Sequence, residues 1–579
     1  MPRRRQNCRP LPWLLPGFVL AASISVAPAD AQTMPMPAVA SSSAMSSPAT
    51  TAAAANPEPL FKGLGNLHHA VTTTLPRAQR YFDQGLTFVY AFNHDEAVGS
   101  FRQAAALDPE LAMAQWGIAL ARGPNINLPE DTERGKQAYA AIIKAQALAP
   151  KASEHERAYI DALAKRYTSD GKMTLAQQQA YANAMREVWH RYPDDPDAGA
   201  LFAESMMDLH PWELWTHDGR PVEGTEEIVA TLEEVMRKHP NHLGANHYYI
   251  HAVEASPNPE RALKSADRLT ALAPAAGHIV HMPSHIYFRV GEYEEAAQAN
   301  EAAMNADREY ILDRHPSGIY PMMYYTHNIQ FLLASCLMEG NRRCSAAAAR
   351  DLLAVAPPAV AREMPMAEGA EPALLFAEAR FGEWNAILSE PEPPQDLKYT
   401  TAMWHYARGL AFAGKGQSPE AENEAKQLNE LAAQVPANRM VGFNSAKRLL
   451  GLASAVLAGE IASPEGRGDD AIRHLKEAVA IQDSLSYEEP PSWYYPVRET
   501  LGMELLAQGK VALAEHVFRE DLRRDPDNGR SLFGLLLCLR AAGDNREGAE
   551  VEAKFRKAWA HADVRLVGPP PPQTAAASH

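Results

Sequence analysis

Histidine is concentrated in one stretch of this 579-residue chain, where 11 of its 21 histidines lie between His210 and His327. Imidazole nitrogens bind zinc, copper, iron or nickel, and they also carry protons near neutral pH. The whole chain has only four cysteines, so a metal site here would use nitrogen and oxygen ligands. The composition alone does not require this density, so the stretch is the first place to look for chemistry.

The spacing of these residues is more informative than their number. Side chains three or four residues apart share one face of a helix. Three groups have this spacing: His247, His251 and Glu254; His278, His281 and His285; Tyr320, Tyr324 and His327. Two histidines one helical turn apart can bind one ion. The pattern therefore predicts a site for a divalent transition metal, such as zinc, copper or iron, formed by His247, His251, His278, His281, His285 and His327.

A second interpretation needs no metal. Tyrosines are frequent in the same stretch, and a groove lined by Glu254, Tyr248, Tyr320 and Tyr324 could bind a polar ligand or a peptide by hydrogen bonds. Simple packing of polar side chains between helices is a third interpretation. Pro283 indicates that the backbone is irregular between His281 and His285, because proline either begins a helix or kinks one.

The elements that position these residues are predicted to be helices arranged in repeats. Residues 78–111 and 495–528 match the spacing of a 34-residue unit of two antiparallel helices, and residues 277–310 and 402–428 match it less well. In the first unit the matching residues are Gly85, Phe88, Ala97, Phe101, Ala104 and Pro109. Small residues let the two helices approach closely, and an aromatic ring fills the space toward the next helix. A last pair is predicted between Ser531 and Trp559.

On these residues the chain resembles the tetratricopeptide-repeat family over most of residues 60–560. It also resembles a group of exported bacterial repeat proteins, through the following segments: Tyr81–Gly85, Ala91–His94, His247–His251, His281–His285 and Trp493–Pro496. The family resemblance implies an all-α fold, a right-handed α-solenoid of stacked antiparallel helix pairs. It also implies binding of a peptide or protein on a concave face, formed by the first helix of each pair. If so, the three groups above point into one groove.

The first residues predict export. Arginines at positions 3, 4, 5 and 9 precede an apolar stretch at residues 13–22, and Ala29-Asp30-Ala31 suits a signal peptidase. We therefore expect cleavage between Ala31 and Gln32, which gives a periplasmic or secreted protein. An uncleaved anchor is the alternative, although the apolar stretch is short for a membrane helix.

The charge excludes some partners. Cleavage removes four arginines and one aspartate, which moves the formal charge from −16 to −19. Such an acidic protein is a poor partner for nucleic acid or for an anionic membrane surface. No later segment is apolar for long enough to insert in a membrane, so a protein or peptide is the predicted partner.

The predicted organisation has five parts. A signal peptide (1–31) is followed by a linker rich in Ala, Ser, Thr and Pro (32–59), which is too polar and too small in side chains to form a core. The N-terminal solenoid with the histidines (60–360) and the C-terminal solenoid (361–566) follow, separated by a Pro-Pro interruption, and a tail (567–579) ends the chain. Cys336 and Cys344 flank a predicted turn, and either a disulfide or two free thiols fits them.

Three functions are compatible with these observations. The chain could be an exported scaffold that holds a peptide or protein partner, a metal-binding protein or metalloenzyme, or a structural assembly factor. The sequence identifies no catalytic residue, and it contains no phosphate-binding loop, Gly-x-Ser-x-Gly elbow or dinucleotide motif. Metal content is the measurement that separates the second function from the other two.

Overall fold

The computed structural model describes residues 58–316, 318 and 320–568, and α-helices form most of this part of the chain. The first nine helices lead up to the histidine-rich segment: α1 (Pro76–Tyr90), α2 (His94–Leu107), α3 (Ala112–Ala121), α4 (Thr132–Leu148), α5 (Glu154–Leu163), α6 (Leu175–Arg191), α7 (Pro196–Met207), α8 (Thr225–Lys238) and α9 (Leu243–Val253). Two of them begin with a capping box, formed by Ser153 and Glu156 at α5 and by Thr174 and Gln177 at α6.

The next segment carries the remaining predicted site residues. Its helices are α10 (Leu263–Leu272), α11 (Gly277–His281), α12 (Pro283–Val290), α13 (Tyr293–Arg314), α14 (Tyr325–Glu339) and α15 (Arg342–Val355), with a 3-10 turn at Pro259–Ala262 and a π-helical turn at Tyr320–Tyr324. A further 3-10 turn, Ala149–Lys151, lies earlier, between α4 and α5. Pro283 is the first residue of α12, so the backbone turns between His281 and His285.

The C-terminal helices complete the described chain. They are α16 (Pro358–Glu363), α17 (Ala373–Phe381), α18 (Trp384–Ser389), α19 (Lys398–Gly414), α20 (Ser418–Gln434), α21 (Ala446–Ala462), α22 (Gly468–Asp483), α23 (Val497–Ala507), α24 (Val511–Arg524), α25 (Gly529–Ala542) and α26 (Asn545–Ala558), with a 3-10 turn at Pro365–Ala370. A two-residue antiparallel hairpin, β1 (Met440–Val441) and β2 (Asn444–Ser445), precedes α21.

Close helix crossings explain the repeat pattern. The ring of Phe101 on α2 packs against Gly85 on α1 and Gly117 on α3, where a Cβ would lie 2.7 Å and 2.5 Å from ring atoms. The ring of Phe518 on α24 occupies the same place between Gly502 and Gly534. A methyl group at any of these glycines would push the helices apart. The all-α prediction is confirmed: the described chain is an α-solenoid of tetratricopeptide-type helix pairs, in which consecutive helices pack on each other.

Successive turns of the solenoid also touch each other near the histidines. Tyr310 on α13 donates a hydrogen bond to Glu96 on α2 at 3.0 Å, although more than 200 residues separate them. On the other side, Tyr293 donates to the carbonyl oxygen of Pro526 at 3.1 Å. The histidine-bearing helices therefore lie between earlier and later repeats.

Several predictions concern residues at the ends of the chain. The predicted signal peptide, nearly all of the linker and nearly all of the tail lie outside the described residues. Within the part that the structure describes, no helix combines the length and apolar character that crossing a membrane requires. The predicted division near residue 360 stays a prediction, and α15 and α17 on its two sides pack against each other. Cys336 and Cys344 form a disulfide across the turn between α14 and α15, while Cys538 is a buried free thiol.

Candidate metal centre

Four helices bring the six predicted metal-binding histidines together. Helix α9 carries His247 and His251 one turn apart, and α11 carries His278 and His281. Helices α12 and α14 contribute His285 and His327. Five of these side chains are buried, and His327 is half-buried. The sequence placed all six on neighbouring inner helices, and the structure brings all six into one region.

The first three-histidine cluster consists of His247, His251 and His278, and we call it triad 1. One ring nitrogen from each residue lies within 4.8 Å of the other two. The Nε2 atoms of His247 and His278 are 3.1 Å apart. Nitrogens that share an ion at about 2.0–2.1 Å in tetrahedral geometry lie at nearly this separation.

The second cluster, triad 2, consists of His281, His285 and His327. Its three nitrogens also lie within 4.8 Å of one another, and the Nε2 atoms of His281 and His285 are 2.8 Å apart. The triads are neighbours, because the ring centroids of His251 and His285 are 5.6 Å apart. The spacing pattern grouped His278 with His281 and His285, whereas the structure places His278 in triad 1.

Hydrogen bonds at Nδ1 fix the orientation of four of these rings. The Nδ1 atom of His247 lies 2.6 Å from the carbonyl oxygen of Tyr90, and that of His281 lies 2.6 Å from Oδ1 of Asn300. The amide of Asn300 cannot be turned round, because its Nδ2 donates to the carbonyl of Ala296. Since these oxygens can only accept, each Nδ1 carries the proton and each Nε2 keeps its lone pair.

Glu254 provides the other two acceptors and joins the triads. One carboxylate oxygen lies 2.8 Å from Nδ1 of His251 in triad 1, and the other is hydrogen-bonded to Nδ1 of His285 in triad 2. Burial raises the pKa of Glu254, but the charges and hydrogen bonds of His285 and His251 lower it to about 2. Glu254 is therefore an anion held between the two triads, in the position of an outer-shell partner of metal-binding histidines.

Burial favours the neutral form of five of the six imidazoles, and it also lowers the pKa of His285, but there the charge of Glu254 outweighs burial and raises the pKa above its usual value. Burial lowers the pKa of His247, His278 and His281 well below the usual range, and it lowers that of His327 to about 3. The neutral form is the one that binds a metal. In triad 1, Nε2 of His251 and Nδ1 of His278 are buried and have no hydrogen-bond partner. Such buried orphan atoms are costly unless a ligand satisfies them.

Phe92 is a residue of the site that the spacing argument did not identify. Its ring stacks on His278 and His251 with centroid distances of 5.3 Å and 5.9 Å, and it lies 4.7 Å from the ring of His247. Its backbone is in the left-handed region, with φ of 55°. That conformation is costly for a residue with a side chain and indicates that the position of the ring is enforced by its surroundings. A strained turn cannot be read from residue spacing.

Two acidic residues, Glu489 and Asp307, lie at the border of the site but belong to neither triad. Glu489 is buried, one of its oxygens has no hydrogen-bond partner, and burial raises its pKa to about 7. Asp307 accepts hydrogen bonds from Tyr320 and Asn328, and burial raises its pKa to about 7. Tyr320 in turn accepts a hydrogen bond from the backbone N–H of His278. Both carboxyl groups titrate near neutrality and so could exchange protons there.

The residues assigned to an open groove are buried instead. Tyr248 packs edge-on against Tyr90, Tyr324 packs edge-on against His278, and Glu254 lies between the triads. Each of these side chains, like Tyr320, exposes less than a tenth of its surface. Peptide binding on the inner wall stays a prediction, but these residues face one another rather than solvent.

A separate network of histidine and aspartate ties the segment before α1 to the solenoid. Asp197 on α7 accepts hydrogen bonds from Nδ1 of His69 at 2.8 Å, from Nε2 of His242 at 3.0 Å and from the hydroxyl of Tyr90 at 2.6 Å. Burial lowers the pKa of His69, but Asp197 outweighs it and raises the pKa to about 9. Because every oxygen of Asp197 is satisfied by a donor, we interpret this network as structural.

The His69–Asp197 pair predicts a pH-dependent contribution to stability. A raised pKa in the folded protein means that the contribution is complete below about pH 6.5 and is lost as the pH rises through about 9. The shift corresponds to about 3 kcal/mol. We expect His69→Gln to lower the thermal unfolding midpoint of chelated protein clearly at pH 6 and much less at pH 10. His68→Gln, at the exposed neighbouring position, should change little at either pH, and equal losses for His69→Gln at both would contradict the interpretation.

Comparisons with known proteins find matches among solved structures alone. No protein-family model and no curated protein matches the chain. Among solved structures, a human IFIT1 dimer with m7Gppp-AAAA is 13% identical, with 84% of this chain and 91% of that chain covered and a TM-score of 0.31. Yeast Tom70 is 11% identical, with 83% and 91% covered and a TM-score of 0.28. The P58(IPK) TPR domain is 10% identical, with 81% and 99% covered and a TM-score of 0.21.

These likenesses are too low to carry an argument about function. The class of the protein follows instead from its own helix pairs: it is an α-helical repeat scaffold of the tetratricopeptide type. What distinguishes this scaffold is the pair of buried three-histidine clusters between its repeats.

Proposed function

We propose that the protein is a metalloprotein that binds a pair of first-row transition-metal ions, one at each triad. The observation that carries this proposal is the set of four fixed Nδ1–H groups. They direct Nε2 of His247, His251, His281 and His285 to the metal positions, and Nε2 of His247 lies 3.1 Å from that of His278 while Nε2 of His281 lies 2.8 Å from that of His285. A cation between them satisfies these atoms together.

The donor set favours particular metals. Three imidazole nitrogens per ion suit copper, zinc or iron, and they are a poor site for magnesium or calcium, which prefer oxygen. A site with three protein ligands also leaves a coordination position for a further ligand, as in catalytic rather than structural zinc sites. The proposal therefore includes reactivity at the ions, within a protein that the N-terminal residues predict to be exported.

The residues around the ions have defined parts in this proposal. Glu254 supplies a negative charge between two cations and holds one imidazole of each triad. Phe92 covers triad 1 and excludes water from it. Glu489 and Asp307 lie at the border of the site and can accept or release a proton near neutral pH.

Metal analysis of triad variants tests the proposal. The full chain, produced without a histidine tag, should contain about two metal ions, one for each triad. We expect His247→Ala combined with His278→Ala to remove one ion, and His281→Ala combined with His285→Ala to remove the other. The combination His247→Ala with His281→Ala should lose both, while far-ultraviolet circular dichroism shows unchanged helical content.

The control is His405→Ala. His405 forms a pair with Glu424 through Nδ1, as His251 does with Glu254, but it lies on α19 and belongs to neither triad. It should retain both ions. Wild-type protein without bound metal after exposure to zinc, copper and iron salts would contradict the proposal, and so would triad variants that retain both ions.

A further inference from the structure

We infer that the ion of triad 1 takes a lone-pair donor of two or three atoms, which reaches it through a pocket with aromatic walls beside His251. This inference rests on the proposed function and deepens it, because it specifies the size class of the substrate or ligand. It depends on the pocket, on the coordination left open at the ion, and on the position of Trp212.

The pocket adjoins triad 1 directly. His251 and Glu254 line it together with several half-buried side chains. Its walls include the following residues: Met207, Trp212, Leu214, Trp215 and Tyr487. Its volume of about 20 Å³ is room for little more than one water molecule. We therefore expect the pocket to admit a small linear molecule of two or three atoms and to exclude a ring compound.

His251 connects the pocket to the metal position. Its Nδ1 is engaged by Glu254, so only its Nε2 can bind the ion, and this Nε2 has no partner in the protein. Three protein nitrogens leave a fourth position on a tetrahedral ion. One residue of triad 1, His251, therefore also lines the pocket, and a ligand in the pocket contacts a residue that would bind the ion.

Trp212 limits the size of what can enter. Its ring lies edge-on to the ring of His251, with a centroid distance of 5.6 Å, and its other side contacts Phe443 at 5.6 Å. Its backbone has a φ of 63°, which is unusual for a residue with a bulky side chain. Trp215, which also lines the pocket, is fixed by a hydrogen bond from its Nε1 to the carbonyl of Ala252 at 2.8 Å. Two indoles therefore contribute to the walls of the pocket.

Spectroscopy of the cobalt-loaded full chain tests this inference. The visible absorption of Co²⁺ reports its coordination, and the cobalt content is measured first by elemental analysis. We expect azide, with three atoms in a line, to change the spectrum of the wild type, and imidazole, a five-membered ring, to leave it unchanged. Trp212→Ala should bind imidazole at least about ten times more tightly than the wild type does.

Two further variants make the result decisive. Trp384→Ala removes an indole that packs at Gly414, far from this pocket in the fold, and it should behave as the wild type does. Trp212→Leu gives a second, more conservative opening of the pocket if the alanine variant does not fold. Bound cobalt with no response to azide would overturn the inference and leave the metal site standing. Imidazole binding to the wild type as tight as to Trp212→Ala would overturn the size limit, and a chain without bound cobalt would overturn both proposals.

Discussion

Glu254→Gln should weaken metal binding at both triads, by about 10–100-fold in affinity for each ion. The carboxylate accepts a hydrogen bond from Nδ1 of His251 with one oxygen and from Nδ1 of His285 with the other. The amide has one carbonyl oxygen and one NH₂ group, so it can accept from only one of the two histidines. The other Nδ1–H then faces a donor, and its ring must rotate or change tautomer, which moves its Nε2 lone pair away from the ion. The change also removes a negative charge from between two cations.

Competition with a chelating dye measures this effect. Zinc or cobalt is titrated into apo protein and dye, and the two dissociation constants are obtained for wild type and variant. Glu424→Gln is the matched control, because Glu424 is also a buried carboxylate that accepts from Nδ1 of a histidine, His405. We expect this control to bind both ions with wild-type affinity. If Glu254→Gln weakened neither ion, or only one, Glu254 would not join the two sites as the geometry indicates.

Removal of the ions by a chelator should lower the stability of the folded chain substantially. A ligand that binds only the folded protein stabilises it by about 4 kcal/mol when its free concentration is 1,000 times its dissociation constant. Two ions at that saturation contribute about twice as much. The effect is concentrated around α9, α11, α12 and α14, because without an ion the buried Nε2 of His251 lacks any partner.

Thermal unfolding checks this prediction in three samples: protein as purified, protein after chelation and dialysis, and the chelated protein after metal is restored. We expect the unfolding midpoint to fall on chelation and to return with the metal. The variant His247→Ala with His281→Ala should give the same midpoint in all three samples. Hydrogen exchange of the backbone amides of α9 and α11 should quicken on chelation more than that of α23 to α26. If the unfolding midpoint of the wild type changed neither on chelation nor on return of the metal, the result would contradict metal binding at the two triads.

Local patterns account for the repeat architecture. Gly85 and Phe101, at the spacing of the repeat, predicted where helices cross closely, and the structure shows the ring of Phe101 between Gly85 and Gly117. The reason is that the glycine and the aromatic residue lie on neighbouring helices of one hairpin. Their separation in sequence is short and constant, so it can be recognised as a repeat. Regions where the pattern is degenerate, such as residues 402–428, still form a helix pair, because apolar periodicity alone is enough to bury one face.

For the candidate site, the sequence predicted which residues take part but not how they are arranged. Spacings of three and four identified the six histidines and Glu254 as residues that share helix faces, because helical geometry determines which neighbours in sequence are neighbours in space. Spacing could not show which histidines of different helices meet, and so it could not show that His278 on α11 completes a cluster with His247 and His251 on α9. Nor could it show that one carboxylate serves both clusters.

The sequence by itself determined the all-helical repeat fold and the helix faces on which the histidines lie, because both follow from contacts within a few turns of one chain segment. Only the tertiary structure decided that these faces close into two buried clusters rather than an open groove. That outcome depends on contacts such as the one between His247 and the carbonyl of Tyr90, which are 157 residues apart. Contacts of this range are set by how the repeats stack, since each small rotation between neighbouring helix pairs accumulates along the solenoid.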